Sequence, residues 1–245
     1  MSPRITLAVA RRVLLQLRRD HRTVAMLLVV PSVLITLLWW MFDRDDATFA
    51  RFGPPLLALF PFIIMFLVTS VTTLRERTSG TLERLLSTPM GKADLLAGYA
   101  LAFGAVAVAQ AALGVALTVG VLGLEVQGSV WTLGLVAVLD AVLGTALGLL
   151  VSAFADTEFQ AVQFMPAVVL PQLLLCGLFV PREALPTVLS AVSDALPLSY
   201  AVDAMQVLQQ SSSWTSDLTV DVSVIVGSTV LALAIGSVTL RRQTA

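Results

Sequence analysis

Charge is what this 245-residue chain has least of. Asp, Glu, Lys and Arg make up 13% of it, against 57% apolar residues, and the mean hydropathy is +0.90. A soluble domain carries about 25% charged residues, so an ordinary soluble protein and a disordered chain are both excluded. The formal net charge of −1 leaves no overall positive field to hold phosphate polymers, which excludes a nucleic-acid binder. One cysteine rules out a disulfide framework, and with one histidine it rules out a Cys/His metal cluster. His21 reads as a solvated or headgroup-level residue and Cys176 as a packed small hydrophobe. Catalytic signatures are missing too. Gly91-Lys92 is followed by Ala93 with no glycine five residues before Gly91, so no phosphate-cradling P-loop exists. No zinc-protease helix, nucleophile elbow or paired-carboxylate arrangement stands out. Any energetic work by this chain draws on an ion gradient or on a partner.

What the chain has is long apolar runs. A bilayer core about 30 Å thick needs roughly 20 apolar residues per helix. Six stretches qualify: 24–42, 54–74, 95–124, 130–154, 161–180 and 222–240. All are uncharged inside except the fourth, which holds Asp140. The fifth contains Pro166 and Pro171, which predict a kink or an early end. The expected fold class is therefore all-α, a polytopic membrane protein forming a single domain over 1–245.

The basic residues set an orientation. Twelve of the fifteen lie before the first stretch, between the second and third, or after the sixth; only Arg44, Arg51 and Arg182 lie on the other side. The positive-inside rule puts the twelve, and both termini, in the cytoplasm. Residues 1–23 do not read as a cleavable signal peptide. Ile5, Val9, Val13 and Leu17 recur every four residues with arginines over much of the remaining surface, which predicts an amphipathic helix in the inner interface.

The loop 75–94 (RERTSGTLERLLSTPMGKAD) carries a miniature helix signature. Gly80 can serve as N-cap, and Glu83 falls near the positive end of the helix dipole. Leu82, Leu85 and Leu86 share one face, and Pro89 ends the element. Arg75-Glu76-Arg77 forms a dense charge group at the mouth of the second span. On the other side, 181–221 is too patterned for a linker. Leu185, Val188, Leu189, Val192 and Leu196 make one apolar face, and Ala201, Met205 and Leu208 begin another after Pro197. Two short amphipathic helices fit.

The run LRERTSGTLERLLSTPMGKADLLAGYALAF resembles the signature of ABC-2 type transporter permeases, the membrane half of ATP-binding-cassette exporters. LCGLFVPREALPTVLSAVSDALPLSYAVDAMQ is similar to the extracellular re-entrant region of that family, with Pro181, Pro186 and the Pro197–Tyr200 turn as its outer gate. The resemblance covers nearly the whole chain and is nearest to antibiotic and multidrug exporters of bacteria. It implies a coupling helix at 80–87, with Arg75, Glu76, Arg77, Gly80, Thr81, Leu82, Glu83, Leu85, Leu86 and Pro89 as the ATPase-coupling residues. It further implies two copies of a separate ATPase subunit, which bind the ATP and magnesium, and a second permease chain, identical or related. This chain would then be no enzyme and would bind no cofactor. The setting would be a bacterial plasma membrane and the cargo a hydrophobic or amphipathic drug-like compound, or a lipid or polysaccharide.

Asp140, Gln110, Gln163 and Gln172 are the polar points of the apolar spans. Each is open to contact with substrate or to interhelical hydrogen bonding. Gly144 and Gly148 form a G-x-x-x-G pattern for close helix approach. A competing function is an ion-coupled secondary transporter using Asp140, although no matching pair of broken helices supports it. A third is a membrane scaffold that only anchors a cytoplasmic partner.

Overall fold

The computed structural model describes residues 2–42, 45–79 and 91–239. Among them are nine α-helices: α1 (Pro3–Arg19), α2 (His21–Met41), α3 (Asp46–Thr78), α4 (Lys92–Gly120), α5 (Val130–Ser152), α6 (Glu158–Leu175), α7 (Thr187–Ala195), α8 (Pro197–Gln210) and α9 (Ser216–Thr239), with a short 3-10 turn at Arg182–Ala184. No strand occurs among the described residues. Six helices, α2 to α6 and α9, are long and apolar enough to cross a bilayer. This is a multi-pass, all-α membrane fold.

The helices are bounded by caps rather than by the ends of the apolar runs. α3 begins well before Pro54 because Asp45 accepts from the Thr48 amide at 3.1 Å, and it keeps helical form through Arg75 and Arg77. α4 stops at Gly120, although the sequence stays apolar to Leu124. Gly123 adopts φ +71°, and Leu122 and Leu124 fold back into the core. Thr157 caps α6, whose Gln160 amide donates to its hydroxyl at 3.1 Å. α6 runs through both Pro166 and Pro171 and ends at Leu175, before Gly177 turns the chain at φ +87°. α9 starts at Ser216, since Asp217 and Asp221 do not interrupt a helix.

The centre of the bundle is the pair α3 and α5. Their most apolar windows are 61% and 56% buried, against 17% for α2 and α6, which leaves the latter two peripheral. The close approach of the pair depends on two glycines. A Cβ on Gly144 would sit 2.4 Å from the carbonyl oxygen of Phe62, and one on Gly148 would sit 2.5 Å from that of Phe66. The G-x-x-x-G pattern is thus used within the chain, with the phenylalanine rings of Phe62 and Phe66 buried beside it.

The N-terminal helix differs from the expectation in what it touches. Val9, Ala10, Val13 and Leu17 are buried, but against α4, in a cluster with Leu95, Leu96, Tyr99 and Phe103. Gly98 permits this contact, for a Cβ there would lie 2.6 Å from Val9. The apolar stripe read from the sequence therefore meets protein, and α1 turns a different surface outward.

Asp20 makes the elbow between α1 and α2. Its backbone amide closes α1, while its carboxylate accepts from the amide of Thr23 at 3.1 Å and from its hydroxyl at 2.7 Å. The Thr23 hydroxyl holds the Asp20 carboxyl below its ordinary range. A depressed carboxylate contributes its full stabilisation above the unfolded pKa and loses it as pH falls through the folded value. Protection of the first α2 amides against hydrogen exchange is therefore expected to fall below the ordinary carboxylate range. Asp20→Asn, which caps without titrating, should flatten that dependence; an unchanged profile in the variant would assign it elsewhere.

Candidate functional site: the root of the inner loop

Three consecutive residues at the end of α3 each reach a different element. Arg75 makes a two-pronged contact with Glu158 in the first turn of α6, Nε to Oε1 at 2.9 Å and Nη2 to Oε2 at 3.0 Å. Arg77 donates to the carbonyls of Ser152 at 2.8 Å and Ala155 at 2.6 Å, satisfying the open C-terminal end of α5, with Asp156 3.8 Å away. Glu76 is buried between α1 and α4. It accepts from Arg12 at 2.7 Å and from the hydroxyl of Tyr99, which also receives a bond from Arg12 at 3.1 Å. The charges of Arg75, Glu76 and Arg77, three of the expected ATPase-coupling residues, are thus engaged inside the chain. They fix the spot where α3 hands over to the loop.

The far root of the loop is held by the same N-terminal helix. Asp94, in the first turn of α4, accepts from the backbone amide of Ser2 at 2.7 Å and from that of Gly91 at 3.3 Å. α1 therefore braces both ends of the loop, Glu76 through Arg12 and Asp94 through the amide of its N-cap residue, Ser2. The coupling residues Gly80, Thr81, Leu82, Glu83, Leu85, Leu86 and Pro89 lie outside the described residues.

Sequence reasoning missed Arg12, Tyr99, Asp94 and Glu158. One signal was available for Arg12, which directly precedes Val13 at the edge of the buried stripe, where a charged side chain needs a partner. Beside this cluster, α1, α2 and α3 enclose a half-open pocket of about 360 Å³. Leu17, Met26, Val68 and Val71 give it apolar walls, and Asp20, Arg75 and Glu76 supply its charges.

No hydrogen bond joins the intramembrane polar residues Asp140, Gln110, Gln163 and Gln172 to one another among the described residues. Asp140 is fully buried, and neither carboxylate oxygen has a hydrogen-bond partner among the described residues. The Gln110 amide on α4 is likewise buried and unpaired among them. Gln172 is a structural contact: its Nε2 donates to the Val168 carbonyl at 3.2 Å, and its Oε1 accepts from the Leu198 amide at 3.4 Å. Gln163 is exposed on α6, on the face that also presents Pro166, Leu170 and Leu174.

At the opposite end of the bundle, the prolines of residues 181–197 start the local elements. Pro181 precedes the 3-10 turn, Pro186 precedes α7, and Pro197 is the first residue of α8. Arg182 bonds Asp203 on α8 and Asp194 on α7, the latter at 2.5 Å, and its guanidinium lies 5.0 Å from the centre of the Tyr200 ring. Burial works against the Arg182 cation, but its two carboxylates outweigh this and leave its pKa raised. Tyr200 closes the group by donating to the Asp194 carbonyl at 2.7 Å.

The profile of the ABC-2 type transporter family matches residues 4–209. The chain belongs to that family. Among its relatives is the probable multidrug ABC transporter permease YbhS of Escherichia coli K12, 27% identical over 182 residues, which are 74% of this chain and 48% of that protein. The probable multidrug ABC transporter permease YbhR of the same strain is 29% identical over 172 residues, 70% of this chain and 46% of the relative. ABC transporter G family member 20 of Dictyostelium discoideum is 25% identical over 167 residues, covering 68% of this chain and 23% of that protein. The chain thus spans about half the length of the bacterial relatives it matches. The ABC-2 match takes in α1, the braced loop and the outer cluster.

Proposed function

We propose that this ABC-2 chain is the permease subunit of an exporter driven by a separate ATPase. The observation that carries the reading is the triple anchorage of Arg75, Glu76 and Arg77. A loop whose roots are tied to α1, α4, α5 and α6 can pass a displacement into the whole bundle; a slack tether cannot. In this reading residues 80–87 form the coupling helix, with Leu82, Leu85 and Leu86 as its apolar face, and dock on the ATPase, which holds the ATP and magnesium. Two ATPase copies act on two permease chains. The exposed α6 face with Gln163 and Leu170 meets the second chain. Both termini lie in the cytoplasm of a bacterium.

The cargo is a hydrophobic or amphipathic compound, drug-like or lipid, taken from the inner leaflet. The pocket beside Asp20 and Arg75, apolar in its walls and charged at a few points, supports that class. α7 and α8, held by Arg182, act as the outer gate with Pro181, Pro186, Pro197 and Tyr200. ATP-driven closure of the ATPase pair would favour the outward-open arrangement by binding it better than the inward one.

The test is co-purification with a co-expressed ABC ATPase subunit. Association that survives in the native chain and weakens at least about tenfold in Leu85→Ala plus Leu86→Ala is expected, the loss of two buried leucines being worth about 2 kcal/mol or more each. A native chain that binds no ATPase removes the reading.

The unpartnered Asp140 favours one alternative, an ion-coupled transporter. If the chain transports along an ion gradient with no ATPase present, and Asp140→Asn abolishes that transport, the alternative gains ground.

A further inference from the structure

The outward face of α1 is not the face its apolar periodicity marks. With Val9, Val13 and Leu17 sealed against α4, the helix turns outward Arg4, Arg11 and Arg18, spaced seven residues apart and so aligned in one stripe. Leu7 and Leu14 flank the stripe on one side and Leu15 on the other, and they are 63%, 36% and 45% exposed. None of the three arginines has an ion pair or hydrogen bond among the described residues. The carboxylates nearest α1 are already engaged: Glu76 by Arg12, Asp94 by Ser2 and Asp20 by Thr23. Three aligned cations bordered by exposed leucines, on a helix at the basic end of a membrane bundle, fit a surface that is anionic at headgroup depth and apolar just below it.

We infer that the Arg4–Arg11–Arg18 stripe is a binding surface for anionic phospholipid headgroups of the inner leaflet, with Leu7, Leu14 and Leu15 seated in the acyl boundary. Because α1 also bonds Glu76 and Asp94, lipid held on this stripe steadies the two roots of the inner loop. The inference needs only the membrane fold and stands apart from the ATPase reading.

Hydrogen exchange on the full chain in nanodiscs tests it, first with no ATPase present. The discs contain phosphatidylcholine alone, or phosphatidylcholine with about one-third phosphatidylglycerol. Each surface arginine gains about fivefold in binding near an anionic leaflet. Exchange of the α1 amides is therefore expected to slow at least about tenfold in the anionic discs, with the difference shrinking in high salt. The triple R4Q/R11Q/R18Q variant should lose the lipid response, and R4K/R11K/R18K should keep it. Unchanged protection of α4 and α5 in the same spectra shows that the glutamine variant is folded. Equal α1 exchange of the native chain in both discs overturns the inference, as does a glutamine variant that responds like the native chain. Protection by added ATPase in discs lacking phosphatidylglycerol, with none from that lipid, overturns it in favour of a protein partner.

Discussion

Glu76→Ala is expected to uncouple the transporter while leaving it in the membrane. The substitution removes the one acceptor shared by Arg12 and Tyr99. Breaking a buried ion pair costs about 3–5 kcal/mol. The Arg12 side chain is 27% exposed and can regain some water, so the lower end, about 3 kcal/mol, applies here. Most of that loss falls on the seam between α1, α3 and α4 and leaves the α3–α5 centre untouched. Substrate-stimulated ATPase activity of the reconstituted pair should drop at least about tenfold, in line with 1.4 kcal/mol per decade. The Arg12→Met, Glu76→Met double variant separates charge from force. It removes both ions at once, so stability should return toward the native value while coupling stays low. Restored coupling in the double variant would show that the pair matters only for folding.

The second large effect is at the α3–α5 seam. Gly144→Ala puts a methyl group 2.4 Å from a main-chain oxygen, and Gly148→Ala does the same at 2.5 Å. Neither contact can be relieved by a side-chain rotation, because the obstacle is backbone. One helix must move away, and overpacking of this kind costs about 1–3 kcal/mol per site, with less sharing of the strain when both are changed. The Gly144→Ala, Gly148→Ala double variant is expected to lose most of its folded yield in mild detergent and to lower its unfolding temperature by several degrees. Gly227→Ala is the control: a Cβ there meets nothing within 4 Å, so it should be neutral or stabilise by up to about 1 kcal/mol through helix propensity. Equal behaviour of the two variants would refute the claim that these glycines set the approach.

The difference between what was legible in the sequence and what was not follows the range of each interaction. Six spans could be read because twenty apolar residues in a row leave a chain few other choices. The use of Gly144 and Gly148 was legible as close packing, but the partner helix was not, because the pattern carries no address. The α1 stripe was visible as a period, yet its partner was α4 through Gly98 rather than lipid alone. A period reports a buried face and says nothing of what buries it. The end of α3 was marked as a dense charge group; that Arg75, Glu76 and Arg77 point to three different elements depends on residues 23 to 83 positions away. Arg182 and Asp203 form an ion pair for the same reason: Gly177 and Pro181 turn the chain so that α8 returns alongside.

In the proposed mechanism the loop rooted at Glu76 and Asp94 receives force from an ATPase. A photo-crosslinking residue placed at Leu82 or Glu83 in the reconstituted, ATP-hydrolysing complex tests it most directly. A crosslink to the ATPase subunit is expected in every preparation that turns over, lost when the complex is dissociated. A complex that hydrolyses ATP and exports its cargo while position 82 and position 83 crosslink only to water, lipid or the permease itself would contradict it.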